Sequence, residues 1–193
     1  MRNSPRHAPP TLRLIRGDLD RVVKIGNTRI QVSPQERPPF AVNAVTVEQD
    51  TALVLDEEPL LYAPSQSISE INTELEHFSE PLPGSVLVKR GSPKRLFAII
   101  HDLEQDPTLK QEWVIKALHN MLRLAERQPL HAIALPLLGT RYGQLEQHRF
   151  VEMLCLTLKQ SPPTLPLRLW LVAPRQDVHA LLESLERFRQ AGR

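Results

Sequence analysis

Residues 132–138, AIALPLL, form a nearly continuous apolar run, and few places in a folded chain accept one. A strand with one wet face alternates apolar and polar residues. A strand apolar at successive positions is buried on both faces, as in parallel sheets covered by helices. The flanking segments agree with that placement. Residues 109–127 carry Leu109, Trp113, Ala117, Leu118, Met121, Leu122 and Ala125 at helical spacing. Pro107 stands just ahead of this helix, where its missing N–H costs little. A second helix over 146–159 turns Phe150, Val151, Leu154, Cys155 and Leu158 inward. LRLWLVA (167–173) reads as another buried strand, and a last helix over about 176–190 carries Val178, Leu181, Leu182, Leu185 and Phe188. Strand–helix alternation of this kind implies right-handed crossovers between parallel strands. The expected fold class is α/β, a three-layer α/β/α domain with a mixed central sheet.

The first half reads mainly as strands. TLRLIR (11–16) alternates apolar and polar residues, and VVKI (22–25) and TRIQV (28–32) flank the turn pair Gly26-Asn27 as a hairpin. AVNAVTV (41–47) and TALVLD (51–56) are rich in β-branched residues and are expected as two strands separated by Glu-Gln-Asp. LLYA (60–63) continues the strand pattern, and 65–78 offers serine caps followed by Ile68, Ile71, Leu75 and Phe78 at helical spacing. SVLVKR (85–90) and RLFAIIH (95–101) are expected as strands around Gly91-Ser92-Pro93.

A chain of 193 residues suits one domain, assigned to 11–193, with the proline-bearing residues 1–10 as a flexible N-terminal segment. Prolines number 18 and fall in clusters between the periodic segments, where they punctuate loops. A net charge of +2, from 24 basic and 22 acidic side chains, requires no nucleic-acid partner. The single cysteine, Cys155, excludes an internal disulfide and a cysteine-rich zinc site. No segment has the length of a membrane span and no signal sequence opens the chain, so a cytoplasmic protein is expected. No histidine spacing suggests a metal, and no cofactor motif appears.

Three short stretches have chemical potential. GTRYG (139–143) follows the buried strand and precedes a helix, the position where α/β folds receive ligands. Gly139 and Gly143 permit close backbone approach and positive φ, Thr140 brings a hydroxyl, Arg141 can pair with a phosphate, and Tyr142 can lie against a ribose or base. A helix N-terminus just beyond supplies free N–H groups for an anion. The same loop also serves as a plain strand-to-helix corner, and the residues alone leave both readings open. In IRGDL (15–19), Asp18 can accept from an exocyclic amine or cap its own turn. In IIHDL (99–103), His101 and Asp102 adjoin, but neighbours on a strand point to opposite faces. No nucleophile motif is present, and no catalytic residue is assigned.

Taken in order, LRLIRGDL (12–19), RLFAIIHDL (95–103), the long helix, IALPLLGTRYGQL (133–145) and LRLWLVA give a chain that resembles a macro domain. That family is the α/β/α module associated with ADP-ribose. The resemblance implies that Asp18 meets the adenine amine and that residues 139–145 wrap the diphosphate and distal ribose, with His101 at the matching strand end. Arg141 and Gln144 replace glycines common in that loop. The Asn-Ala-Ala-Asn stretch of the family's hydrolases is matched only by Asn43-Ala44, with Thr46 in place of the second asparagine, and no glycine occurs between Gly26 and Gly84. The implied function is a divergent macro-like domain that binds ADP-ribose or a related nucleotide without efficient catalysis. The alternative is a protein-interaction or structural module with the same fold, and an ADP-ribosyl or phosphoester hydrolase ranks behind both.

Overall fold

The computed structural model describes residues 18–55, 80–128 and 130–191. The expected strands at 11–16 and 60–63 and the helix at 65–78 lie outside them.

Seven strands form one sheet: β1 Val22–Ile25, β2 Thr28–Ser33, β3 Ala44–Asp50, β4 Val86–Lys89, β5 Lys94–His101, β6 Ala132–Pro136 and β7 Leu167–Val172. Their order across the sheet is β1-β2-β7-β6-β3-β5-β4. The five inner strands run parallel, and the edges β1 and β4 are antiparallel to their neighbours. β1 and β2 are the expected hairpin, with Gly26 at φ +55° in the turn. The mixed sheet, the crossovers from β5 through a helix to β6, and from β6 through a helix to β7, all follow the sequence pattern.

The helices are α1 Gln111–Arg127, α2 Gln147–Gln160 and α3 Val178–Gln190. Each turns a stripe of residues three and four apart toward the same sheet face. Leu118, Leu154 and Leu182 from the three helices share one buried cluster with Ile30, Leu96, Ile133 and Leu169 from four strands. Val47, Phe97 and Ile99, on the opposite face, belong to a separate smaller cluster with Leu53 and Leu87. No helix among the described residues is long and apolar enough to cross a membrane.

One expected strand is absent over its described part. Residues 51–55 form a turn, and β3 instead continues through Glu48, Gln49 and Asp50. The reason lies in three buried polar side chains. Asp50 accepts the N–H groups of Ala52 at 2.6 Å and Val54 at 3.2 Å, while Gln49 Oε1 accepts that of Leu55 at 2.7 Å. Side-chain acceptors that curl the following backbone override the β-branched pattern of TALVLD.

Cys155 sits fully buried on α2, and burial pushes its thiol from 9.0 up to about 12, with Lys159 opposing the rise. The unfolded thiol ionises near its ordinary value while the folded one keeps its proton, so this residue's contribution to stability falls as pH rises through that window. We expect the folded protein to resist alkylation by iodoacetamide at mildly alkaline pH and to react fully in denaturant. Labelling of the folded chain at the unfolded rate would contradict the burial.

Candidate functional site

β3 and β6 begin as neighbours and then part. They pair at Ala44–Ile133 and Val45–Ala134 and no further. Pro136 closes β6, still paired to β7 at Val172, and brings no N–H of its own. The separation opens a crevice between two parallel strands at their C-terminal ends, the usual ligand position in open α/β sheets. The loop 139–143 enters it from β6, and Glu48 reaches it from β3.

Glu48 connects the parts. Its Oε2 accepts the N–H of Gly139 at 3.0 Å, and its Oε1 accepts from His101 Nε2 at 2.5 Å. Both side chains are buried, His101 at 2% exposure and Glu48 at 8%. Three strands' ends are thereby held by one carboxylate. Such a buried charge persists only with good partners on both oxygens.

The loop closes on itself as well as on Glu48. Thr140 donates to Leu137 O from its N–H at 3.2 Å and from its hydroxyl at 2.7 Å. Leu145 N–H returns to Gly139 O at 3.2 Å. Gly139 adopts φ +79°, and a Cβ at Gly143 would stand 2.6 Å from Gly139 O. Both glycines are therefore required by the loop's own shape. Arg141, Tyr142 and Gln144 face outward, with the Arg141 guanidinium 5.0 Å from the Tyr142 ring centre. Among the described residues, the N–H groups of Arg141, Tyr142, Gly143 and Gln144 have no protein acceptor. Beyond them, α2 starts at Gln147 with Glu146 in an extended conformation.

Gly139, Thr140, Arg141, Tyr142, Gly143 and His101 come together at this crevice, although His101 is sealed beneath the loop. Asp102 does not join them. It caps its own loop, accepting the N–H of Glu104 at 3.1 Å and the Gln105 side chain, while its N–H donates to Thr108 O at 2.9 Å. Asn43 is at the wrong end of the sheet. Its N–H donates to Ala132 O at 3.0 Å and its Oδ1 accepts from Ala132 N–H at 3.1 Å, just ahead of β3. The 7 residues of β3 put it about 20 Å from the crevice. The segment that actually leaves β3 toward the loop is Glu48-Gln49-Asp50-Thr51.

Asp18 opens a short helical turn, Asp18–Asp20, that leads into β1 and packs near β2 and α3. Because β1 is antiparallel, with Val22 opposite Gln31, this turn lies at the same sheet end as the 139–143 loop. Strands β2 and β7 stand between them in the sheet. The Asp18 side chain is outside the described structure.

Glu48 was missed by the sequence because Glu-Gln-Asp resembled a turn between two strands. A signal existed: Glu48 continues the i, i+2 row of Ala44 and Thr46, which faces the core. The site can hold an anion through outward N–H groups and Arg141, and an aromatic or sugar face against Tyr142. It offers no free nucleophile or base, since Glu48 and His101 engage each other. Among the described residues, no group of three or more His, Cys, Asp and Glu could hold a metal ion.

No protein-family profile matches the sequence, and no curated protein matches it. Solved structures do match. The Oceanobacillus iheyensis macrodomain with ADP is 14% identical, with 89% of this chain and 97% of that chain covered at a TM-score of 0.67. The macrodomain of Thermus aquaticus DarG is 15% identical, with 76% and 99% covered at 0.56. The macro domain of ganglioside induced differentiation associated protein 2 is 10% identical, with 81% and 83% covered at 0.55. Near-complete coverage of several such domains, at identities that speak for the fold alone, gives this chain the three-layer α/β/α fold of the macro domains.

Proposed function

We propose that the chain binds ADP-ribose or a related nucleotide diphosphate at the C-terminal ends of its parallel strands, without efficient catalysis. The observation that carries this reading is the run of outward N–H groups from Arg141 to Gln144, without protein acceptors and flanked by the exposed Arg141 guanidinium. Successive main-chain donors beside a cation suit a diphosphate. Tyr142, 44% exposed, is free to lie against the distal ribose. Asp18 takes the adenine amine in the role that the resemblance implies. Two of the structurally similar macrodomains were solved with ADP and with ADPR, which supports the ligand class. Binding without efficient turnover follows from Glu48 and His101 being buried and bonded to each other.

A second reading, a protein-interaction or structural module, has its own observation. Gly139 and Gly143 pack against Leu109 and each other, so the loop needs them whether or not a ligand exists. Isothermal titration separates the two. ADP-ribose is expected to give saturable heat that weakens about tenfold or more in Arg141→Glu, equal to about 1.4 kcal/mol. Arg141 is exposed, so this variant keeps the fold. No heat at millimolar ligand would favour the interaction module.

A further inference from the structure

A second polar cleft lies far along the sheet from the 139–143 loop, between the edge strand β4 and the outer side of α1. It is lined by Ser85, Val86, Asn120, Arg123, Leu124 and Arg127 and encloses about 310 Å³. That volume is at the small end of ligand sites. Its charged groups are both cations, Arg123 and Arg127, one helical turn apart.

Like charges at that spacing repel along a helix. Neither guanidinium has a hydrogen-bond or ion-pair partner among the described residues. Arg127 lies in the last turn of α1, where the helix dipole favours a cation, but Arg123 is one turn too early for that benefit. The carboxylate between them in sequence, Glu126, is directed to Thr164, whose N–H and hydroxyl it accepts at 2.9 and 3.2 Å. The cleft therefore keeps its positive charge.

Its floor holds an unused donor. The Ser85 hydroxyl is buried and has no hydrogen-bond partner. Buried hydroxyls in native proteins are normally satisfied, so this one requires a partner from outside the chain. Asn120 donates its Nδ2 to Gly84 O at 2.8 Å, which fixes the amide and leaves Oδ1 as an acceptor. Val86 and Leu124 supply apolar wall. Two guanidinium forks, one hydroxyl donor, one amide acceptor and a small apolar wall describe one ligand chemistry. We infer that this cleft binds a small phosphate monoester, its phosphate held by Arg123, Arg127 and the Ser85 hydroxyl and a hydroxyl of its body by Asn120. The inference is independent of the ADP-ribose reading.

Side-chain Nε–H resonances of Arg123 and Arg127 in the whole protein test it, titrated with glycerol phosphate, inorganic phosphate and, as control, sodium chloride at equal ionic strength. Saturable shifts with glycerol phosphate, tighter than with inorganic phosphate, are expected. Arg123→Gln and Ser85→Ala should each weaken binding by about tenfold, and Ser85→Ala should do so without lowering the melting temperature, since it removes an unsatisfied hydroxyl. Both arginine positions are exposed, so Arg127→Gln, with the same expected loss, keeps the fold. Shifts that match the chloride control, or that persist unchanged in the arginine variants, would overturn the site. Equal affinity for inorganic phosphate and the ester would overturn the role given to Asn120.

Discussion

Replacing His101 by alanine is expected to destabilise the protein by about 3–5 kcal/mol, the usual cost of leaving a buried charge without its partner. Glu48 is 8% exposed, and one of its two oxygens is held by the ring Nε2 that the substitution removes. Water cannot readily replace the ring, because His101 itself is 2% exposed and walled by packed strand. Glu48→Gln should behave differently. A glutamine still accepts the Gly139 N–H through its carbonyl oxygen and offers its amide to the imidazole, which then accepts through Nε2. Its expected cost is about 1–2 kcal/mol, that of exchanging a charge-assisted bond for a neutral one. Urea melts of the two variants measure the difference. If His101→Ala moved the midpoint no more than Glu48→Gln, the carboxylate would not depend on this pair.

Gly143→Ala carries the second large effect, about 1–3 kcal/mol from overpacking. An added Cβ would lie 2.6 Å from the carbonyl oxygen of Gly139 and 2.8 Å from Leu109 Cδ1. The leucine terminus can move, but the carbonyl cannot, because Gly139 is fixed by its N–H to Glu48 and by its C=O to Leu145. The loop must therefore shift as a unit, which displaces the N–H groups of Arg141 and Tyr142. Stability falls modestly while ADP-ribose affinity falls by more than the Arg141→Glu loss. Thermal melts paired with titration check both parts. A variant as stable as the parent and equally able to bind would show that the loop is looser than its hydrogen bonds indicate.

The helices were legible in the sequence because each buries a single stripe, and 3.6-residue periodicity survives any choice of partner. The buried strands β6 and β7 were legible for a related reason: apolar residues on both faces leave little else for the chain to do. What escaped was decided by single side chains acting across long sequence distance. TALVLD has the composition of a strand, yet Asp50 and Gln49 turn the backbone at its first residues. His101 was read beside Asp102, its neighbour in sequence, whereas its partner is Glu48, 53 residues earlier. Asn43 matched a motif by letters but sits ahead of the strand whose far end the motif would occupy. Local pattern reports burial. It does not report which two strand ends meet in space, and the crevice is made at such a meeting.

Amide chemical shifts during titration with ADP-ribose test the central claim most directly, because they read the loop itself. The expected result is saturable movement of the Arg141, Tyr142, Gly143 and Gln144 resonances, with little change at Asn43 on the opposite end of the sheet. Saturable shifts that leave those four amides in place, or no shifts at millimolar ligand, would contradict a diphosphate seat in the 139–143 loop.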